Sequence, residues 1–358
     1  MEIGGFDPVR SENGISFSVL YWPHCSNLEK MEENSSLQLN SSDYYDTNYD
    51  TIEYVITTYV YKIVYVIGLF GNIFAVIVWS RARVKSSPVK YFIAISVADT
   101  LVLLTHALEN IHQLNIQGLC QVVHLLFLAV QCFAILLVLG LSTERYIEIC
   151  HPLGGDKLLT VCRTRRTIVF MAALSVVCSF MEGYIWHVDE HNMCAHRSNI
   201  PSRILWIYGM CVLGILFMLP IFAILIINIS VLCKVRRRRR SHSVAYSTSM
   251  VPEKLSINAA FLAISLWLAV SELCYAIVHL IQYFVNTHSD FFWNVSNLKP
   301  RPGQWHTYNS NSIPLLLADL VTLASYSVNF ICFVLTSYTF RKEIRHLFRK
   351  KRRHRGRL

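Results

Sequence analysis

The stretch 117–149, QGLCQVVHLLFLAVQCFAILLVLGLSTERYIEI, holds no Asp, Glu, Lys or Arg before Glu144. A run of that length and polarity can cross the hydrocarbon core of a bilayer, which takes about 20 helical residues. Its fixed charges, Glu144, Arg145 and Glu148, collect at one end, where a span would leave the membrane.

Six further apolar runs lie on either side, near 54–80, 89–112, 166–187, 203–234, 254–286 and 312–336, which makes seven. The fourth is short, and the sixth is interrupted by Glu272 and His279 although residues 257–270 stay apolar. Composition agrees, since 53% of the chain is apolar and only 16% is charged, against roughly a quarter charged in soluble domains. The formal charge of +10 does not point to nucleic acid. A nucleic-acid binder gathers its basic residues on a soluble fold or arm, and here they lie between apolar runs.

Segments 81–90, 144–167, 234–254 and 341–358 hold 26 of the 33 Lys and Arg residues. Basic residues accumulate beside the cytoplasmic face of a membrane, so the N-terminus is expected outside and the C-terminus inside, in the plasma membrane. The residues before Tyr54 fit that side, with ten acidic and two basic side chains and glycosylation sequons at Asn34 and Asn40. Asn294 offers another sequon in an outer loop, whereas the one at Asn228 falls inside the fifth run and is discounted. Residues 1–20 lack the basic start and apolar run of a secretory leader, so none is expected. Residues 26–50 are too polar to offset chain entropy and are expected to be disordered.

The expected fold is an all-α membrane protein. A seven-transmembrane helix bundle over 54–336 follows a disordered, glycosylated extracellular segment, 1–53, and precedes a short amphipathic eighth helix with a basic cytoplasmic tail, 337–358. Phe340, Leu347 and Phe348 mark one apolar face of that basic helix, which suits it to the inner headgroups and makes membrane lipids a partner. The 11 cysteines mostly lie within apolar runs, as Cys132, Cys178 and Cys332 do, without the paired spacing of a zinc site. They read as small core residues, and no metal or other cofactor is indicated.

A carboxylate at mid-membrane costs about 2.5 to 3.5 kcal/mol on insertion scales, so Asp99 needs polar partners, for which Asn72 and Asn329 are the candidates. Arg145 closes the third run with Glu144 placed to pair with it and Tyr146 at the interface. Cys120 at the outer start and ICHPL at 149–153 complete a pattern that resembles the third helix of rhodopsin-family (class A) G-protein-coupled receptors. The resemblance extends over residues 54–348 through Gly71-Asn72, Ala98-Asp99, Pro220, Trp267 and Asn329.

The resemblance implies that Asn72, Asp99, Glu144, Arg145, Tyr146, Pro220, Asn329 and Phe333 serve activation and coupling. It also implies a disulfide between Cys120 and Cys194, a heterotrimeric G protein and arrestin as partners, and no catalysis in the chain itself. The chain departs from the family pattern at several positions. Ala269 and Phe330 replace two hinge prolines, Phe333 and Asn228 replace two tyrosines, and Ala134 and Ser325 replace residues that help hold sodium near Asp99. Ser327-Val328-Asn329-Phe330 resembles the seventh-span variant of the invertebrate FMRFamide, myosuppressin and sex-peptide receptors.

Phe127 stands where monoamine receptors of this family carry an Asp, and no Lys lies in the seventh run for a retinal. The outer halves instead hold Glu109, Glu182, Glu272 and Asp319, with His106, His112, His124 and Gln131 nearby and scarcely a cation beyond Lys62. An acidic cavity favours a positive ligand, here an extracellular peptide with an Arg or Lys near an amidated end. The binding set is Glu109, His124, Phe127, Gln131, Glu182, Trp267, Glu272 and Asp319, led by Glu272 and Asp319. Other readings are a receptor for another small ligand class and a transporter or channel, although no inverted repeat or charged pore stripe is visible. A membrane enzyme would need a catalytic motif such as HExxH or GxSxG, and none is present. His191 and His196, flanking Cys194, read as surface residues. Arg236 to Arg240 read as a lipid or G-protein contact, with Ser241 and Ser243 as phosphorylation sites that would weaken it.

Overall fold

A computed structural model describes residues 52, 54–83, 86–109, 116–150, 160–189, 194–197, 199–241, 261–281 and 312–355. Seven helices among them are long and apolar enough to cross a membrane. They are α1 (Ile56–Ser80), α2 (Ser87–Glu109), α3 (Gln117–Cys150), α4 (Val161–Ile185, with a break after Cys178), α5, α6 (Phe261–Ile281) and α7. α5 runs continuously through Ser202–Cys211, a π-helical stretch Val212–Met218 and Leu219–Ser241. α7 is Ser312–Thr336 and α8 is Tyr338–Arg355. The expected disordered segment before residue 52 and the sequons at Asn34, Asn40 and Asn294 lie outside the described residues, as do His112, His191 and Ser243.

Helix ends follow hydrogen bonding more than hydropathy. α4 starts at Val161, five residues before its apolar run, because the Thr160 side chain accepts the Arg163 N–H and caps the first turn. α8 is set off in the same way. The Ser337 hydroxyl accepts the Phe340 N–H at 3.2 Å, and Arg341 donates to the Val334 and Leu335 carbonyls that end α7. The π stretch in α5 precedes the buried Pro220, whose missing N–H already loosens the backbone there.

α3 is the central post, in contact with α2, α4 and α5, while α1 packs on α2 and α7. Close approach depends on small residues. A Cβ at Gly68 would stand 2.5 Å from the Ser327 hydroxyl and 2.4 Å from a Leu103 methyl, and one at Gly71 would meet Phe330. Towards the α8 end, Trp79, Phe92, Phe333 and Phe340 form one fully buried aromatic cluster with centroids 5.0 to 5.6 Å apart. Ile344 and Leu347 continue the Phe340 stripe against the core, so these apolar residues of α8 contact the bundle itself.

The all-α reading misses one element, a two-stranded antiparallel hairpin of β1 (Trp186–Val188) and β2 (Cys194–His196), with Trp186 opposite His196. Three-residue strands leave too little alternation to be seen in sequence. The cysteines also need correcting. Cys132 is buried, but Cys162, Cys211, Cys233 and Cys274 are exposed on helix surfaces, where a small apolar residue meets lipid as readily as protein.

Candidate functional site

The hairpin is fixed to α3 by a disulfide between Cys120 and Cys194, with Cα atoms 5.8 Å apart. The Gln117 side-chain oxygen accepts the Val188 N–H at 3.0 Å. Trp186 of β1 lies flat on the His124 ring of α3, with centroids 3.7 Å apart and planes within 7°, and the His196 ring packs edge-on against the same indole at 4.2 Å. His196 is therefore packed against Trp186 and is not the surface residue expected. Burial, aided by repulsion from His187, pushes its pKa down to about 4, so it is neutral at pH 7. Cys120, His124 and Cys194 bring three ligand-type atoms within 4.8 Å, but both sulfurs are spent on the disulfide.

The four carboxylates expected in the binding set have different surroundings. Glu182 is buried and saturated, one oxygen accepting from the Trp186 indole at 2.8 Å and the other from the Tyr208 hydroxyl at 3.0 Å. It ties α4, the hairpin and α5 together. Glu109 Oε1 sits 2.9 Å from His124 Nδ1, a close contact without the geometry of a hydrogen bond. Glu272 of α6 is 2% exposed and accepts from the Tyr326 hydroxyl of α7 at 2.7 Å. Asp319 of α7 accepts from Tyr61 of α1 at 2.6 Å and meets His106 of α2 at 3.3 Å, and its side chain remains 29% exposed. Both contacts use Oδ2, and Oδ1 has none among the described residues. Tyr65, one turn from Tyr61, shares a 2.7 Å hydrogen bond with His106 and completes the group.

Phe127 is buried with its ring 5.6 Å from His106, and Gln131 is buried one turn further along α3. Trp267 departs from expectation. It is 43% exposed, because the inward face of α6 runs through Phe261, Ile264, Leu268 and Glu272, and a helix cannot present its adjacent positions in the same direction.

Deeper in the bundle, Asp99 accepts from Asn329 at 2.6 Å, whereas Asn72 donates instead to the Tyr326 carbonyl at 2.8 Å. Ala134 is buried. Asn228 of α5 donates to Ser265 of α6 at 2.9 Å, a link between two helices. Glu144 does not pair with Arg145. Its two oxygens accept from Ser87 of α2 and Thr164 of α4, and Arg145 pairs with Glu148, one turn along α3.

A seven-helix bundle with this disulfide and this third helix has a close counterpart among known proteins. Residues 71–302 match the family model of the seven-transmembrane receptors of the rhodopsin family. The chain belongs to that family. It is 30% identical over 158 residues to the thyrotropin-releasing hormone receptor of Bos taurus, covering 41% of this chain and 39% of that receptor. It is 26% identical over 259 residues to neuromedin-U receptor 2 of Mus musculus, covering 67% of this chain and 65% of that receptor. Human neuromedin-U receptor 1 is 30% identical over 128 residues. The chain thus spans about two fifths of the first of these relatives and just under two thirds of the second.

Within this rhodopsin-family bundle, the structure brings Phe127 and Asp319 together through His106, places Glu109 beside His124, and joins Glu272 to α7 through Tyr326. The sequence reading did not single out Tyr61, Tyr65, Trp186, Tyr208 or Tyr326. Tyr61 and Tyr65 sit four apart, on one helical face, which was the one signal that could have flagged them.

Proposed function

We propose that this chain is a G-protein-coupled receptor for an extracellular peptide carrying a positive charge, with Asp319 as the anchor for that charge. The observation that carries this reading is the contrast among four outer carboxylates. Only Asp319 combines substantial exposure with an oxygen that no described group contacts. An arriving guanidinium or ammonium can occupy that oxygen while Tyr61 keeps the carboxylate in place, and a charge-assisted bond of this kind favours Arg through its paired N–H groups. The relatives named as receptors for thyrotropin-releasing hormone and neuromedin U support a peptide ligand.

In this proposal the basic segments face the cytoplasm, the N-terminus lies outside the plasma membrane, and heterotrimeric G proteins and arrestin meet the inner end near Arg145. Lipid headgroups meet Arg236 and Arg237 of α5 and the basic face of α8. The Ser327–Phe330 stretch supports a ligand of the amidated FMRFamide kind. Ligand would bias one helix arrangement over another, a population shift read at the inner end.

The test is a screen of amidated peptides ending in Arg- or Lys-containing motifs, in cells expressing the chain, read by cAMP and calcium. Asp319→Asn is expected to weaken the potency of the active peptide about 10- to 100-fold, and Glu182→Gln to change it far less. An undiminished response in the Asp319→Asn, Glu272→Gln double variant would remove the pocket assignment.

A further inference from the structure

Beside the hairpin, the end of α4 and the start of α5 enclose a groove of about 200 Å³. Met181, Tyr184 and Ile185 line it from α4, and Ile200, Ile204 and Leu205 from the approach to α5 and its first turn. The chain leaving the hairpin crosses the end of α4 on the way, because the Arg197 N–H donates to the Ile185 carbonyl at 2.9 Å. Ile185, Ile200 and Leu205 also belong to the small apolar cluster under the hairpin, with Cys120 and Trp186. The front is open: Met181, Tyr184 and Ile204 are 46%, 51% and 54% exposed. They lie on two membrane-spanning helices, so the medium at this opening is lipid. One cation stands at the groove. The half-buried Arg197 holds its guanidinium over the Tyr184 ring, 5.0 Å from the centroid. Its Nε has no hydrogen-bond partner, and it forms no ion pair among the described residues. A half-buried charge without a counter-charge is costly, and stacking on Tyr184 offsets part of that cost.

We infer that the groove binds a long-chain fatty acid from the surrounding membrane, with its chain between Tyr184 and Ile204 and its carboxylate on Arg197. Pockets that enclose a whole small ligand measure about 300 to 1,000 Å³, so this smaller groove takes part of one hydrocarbon chain and leaves the rest in the bilayer. That volume suits a single chain better than the two chains of a phospholipid. A carboxylate supplies the missing counter-charge and matches the paired N–H groups of a guanidinium. The inference needs only the membrane bundle and holds whichever peptide the chain receives.

The experiment places the full chain in phosphatidylcholine nanodiscs with a diazirine-bearing palmitic acid, and maps the photolabelled peptides by mass spectrometry. Labelling is expected to concentrate at Met181, Tyr184 and Ile204 and to fall with excess oleate. Arg197→Gln should lower it about 3- to 10-fold, as loss of a charge-assisted bond does. Arg203→Gln, which removes an exposed cation nearby, should leave it almost unchanged. Ile204→Trp fills the groove without altering the cation and should lower labelling too, so the test does not depend on one variant. Retention of the Cys120–Cys194 disulfide is checked in each.

Labelling no denser than at Phe70, which is 75% exposed on α1, would mean ordinary boundary lipid and overturn the inference. Competition by oleyl alcohol equal to that by oleate would overturn it as well, since the charge would then play no part. Stronger competition by phosphatidylserine than by oleate would assign the groove to a phospholipid instead. Crosslinks between two chains at Tyr184, in place of lipid labelling, would make it an interface between copies.

Discussion

At the hairpin end of the bundle, Asp319 places one oxygen against Tyr61 and His106 and remains partly exposed. At the opposite end, Glu144 has both oxygens taken by hydroxyls from two other helices. The two groups share a chemistry and differ in spare acceptor capacity. A saturated carboxylate between helices holds the fold, since any new partner must first displace an existing one. A carboxylate with an open oxygen can take a new cation without loss of its tie. The same division separates Glu182, matched by Trp186 and Tyr208, from Asp319.

The comparison breaks if substitutions of saturated or packed groups prove mild or if Asp319 proves structural. The largest effect is expected for Phe340→Ala, which empties a site between Trp79, Phe330 and Phe333. A loss of about 3 to 5 kcal/mol is typical of removing a buried Phe, and thermal unfolding of the solubilised protein should show it as a clear drop in Tm. Asn329→Ala comes next. It leaves the buried Asp99 without its 2.6 Å donor, at a cost of about 1 to 3 kcal/mol, and the same unfolding assay reads it.

Glu182→Gln keeps the shape but puts an amide where two donors converge, so a smaller loss of about 1 kcal/mol is expected. Asp319→Asn should fall below all three in stability while exceeding them in its effect on peptide potency. If it destabilises as much as Asn329→Ala, Asp319 is a structural tie and the contrast is lost.

The smallest effect concerns pH. Burial holds the His196 pKa near 4, below its ordinary 6.5. The opened hairpin would therefore bind a proton that the packed one does not between those values. Stability at the hairpin is complete above pH 6.5 and declines as pH falls towards 4. Hydrogen exchange at Trp186–Val188 and Cys194–His196, corrected for intrinsic rates, should accelerate over that window in the native chain and less so in His196→Phe. Equal acceleration in both would show that another group governs the opening.

Much of the architecture was legible in the sequence because the bilayer imposes it. A span must be apolar for about 20 residues and satisfy its own backbone, so residues 117–149 and six similar runs announce helices without reference to one another. The Cys120–Cys194 pairing was likewise anticipated from the family resemblance, and Asn329 was one of the two partners, with Asn72, expected for Asp99 from the cost of a mid-membrane carboxylate. The hairpin was not, being too short for any period to show.

Facing and saturation were beyond the sequence. Trp267 was expected inside and lies 43% exposed. Glu144 was expected beside Arg145 and is bound to Ser87 and Thr164. Of the four similar acids, only the folded arrangement shows which has an oxygen without a contact among the described residues. Hydropathy is summed along one helix and therefore survives any rearrangement of its neighbours. A hydrogen-bond partner comes from another helix, often more than 200 residues away, as with Tyr61 and Asp319. It is decided by the rotation and depth at which the helices pack.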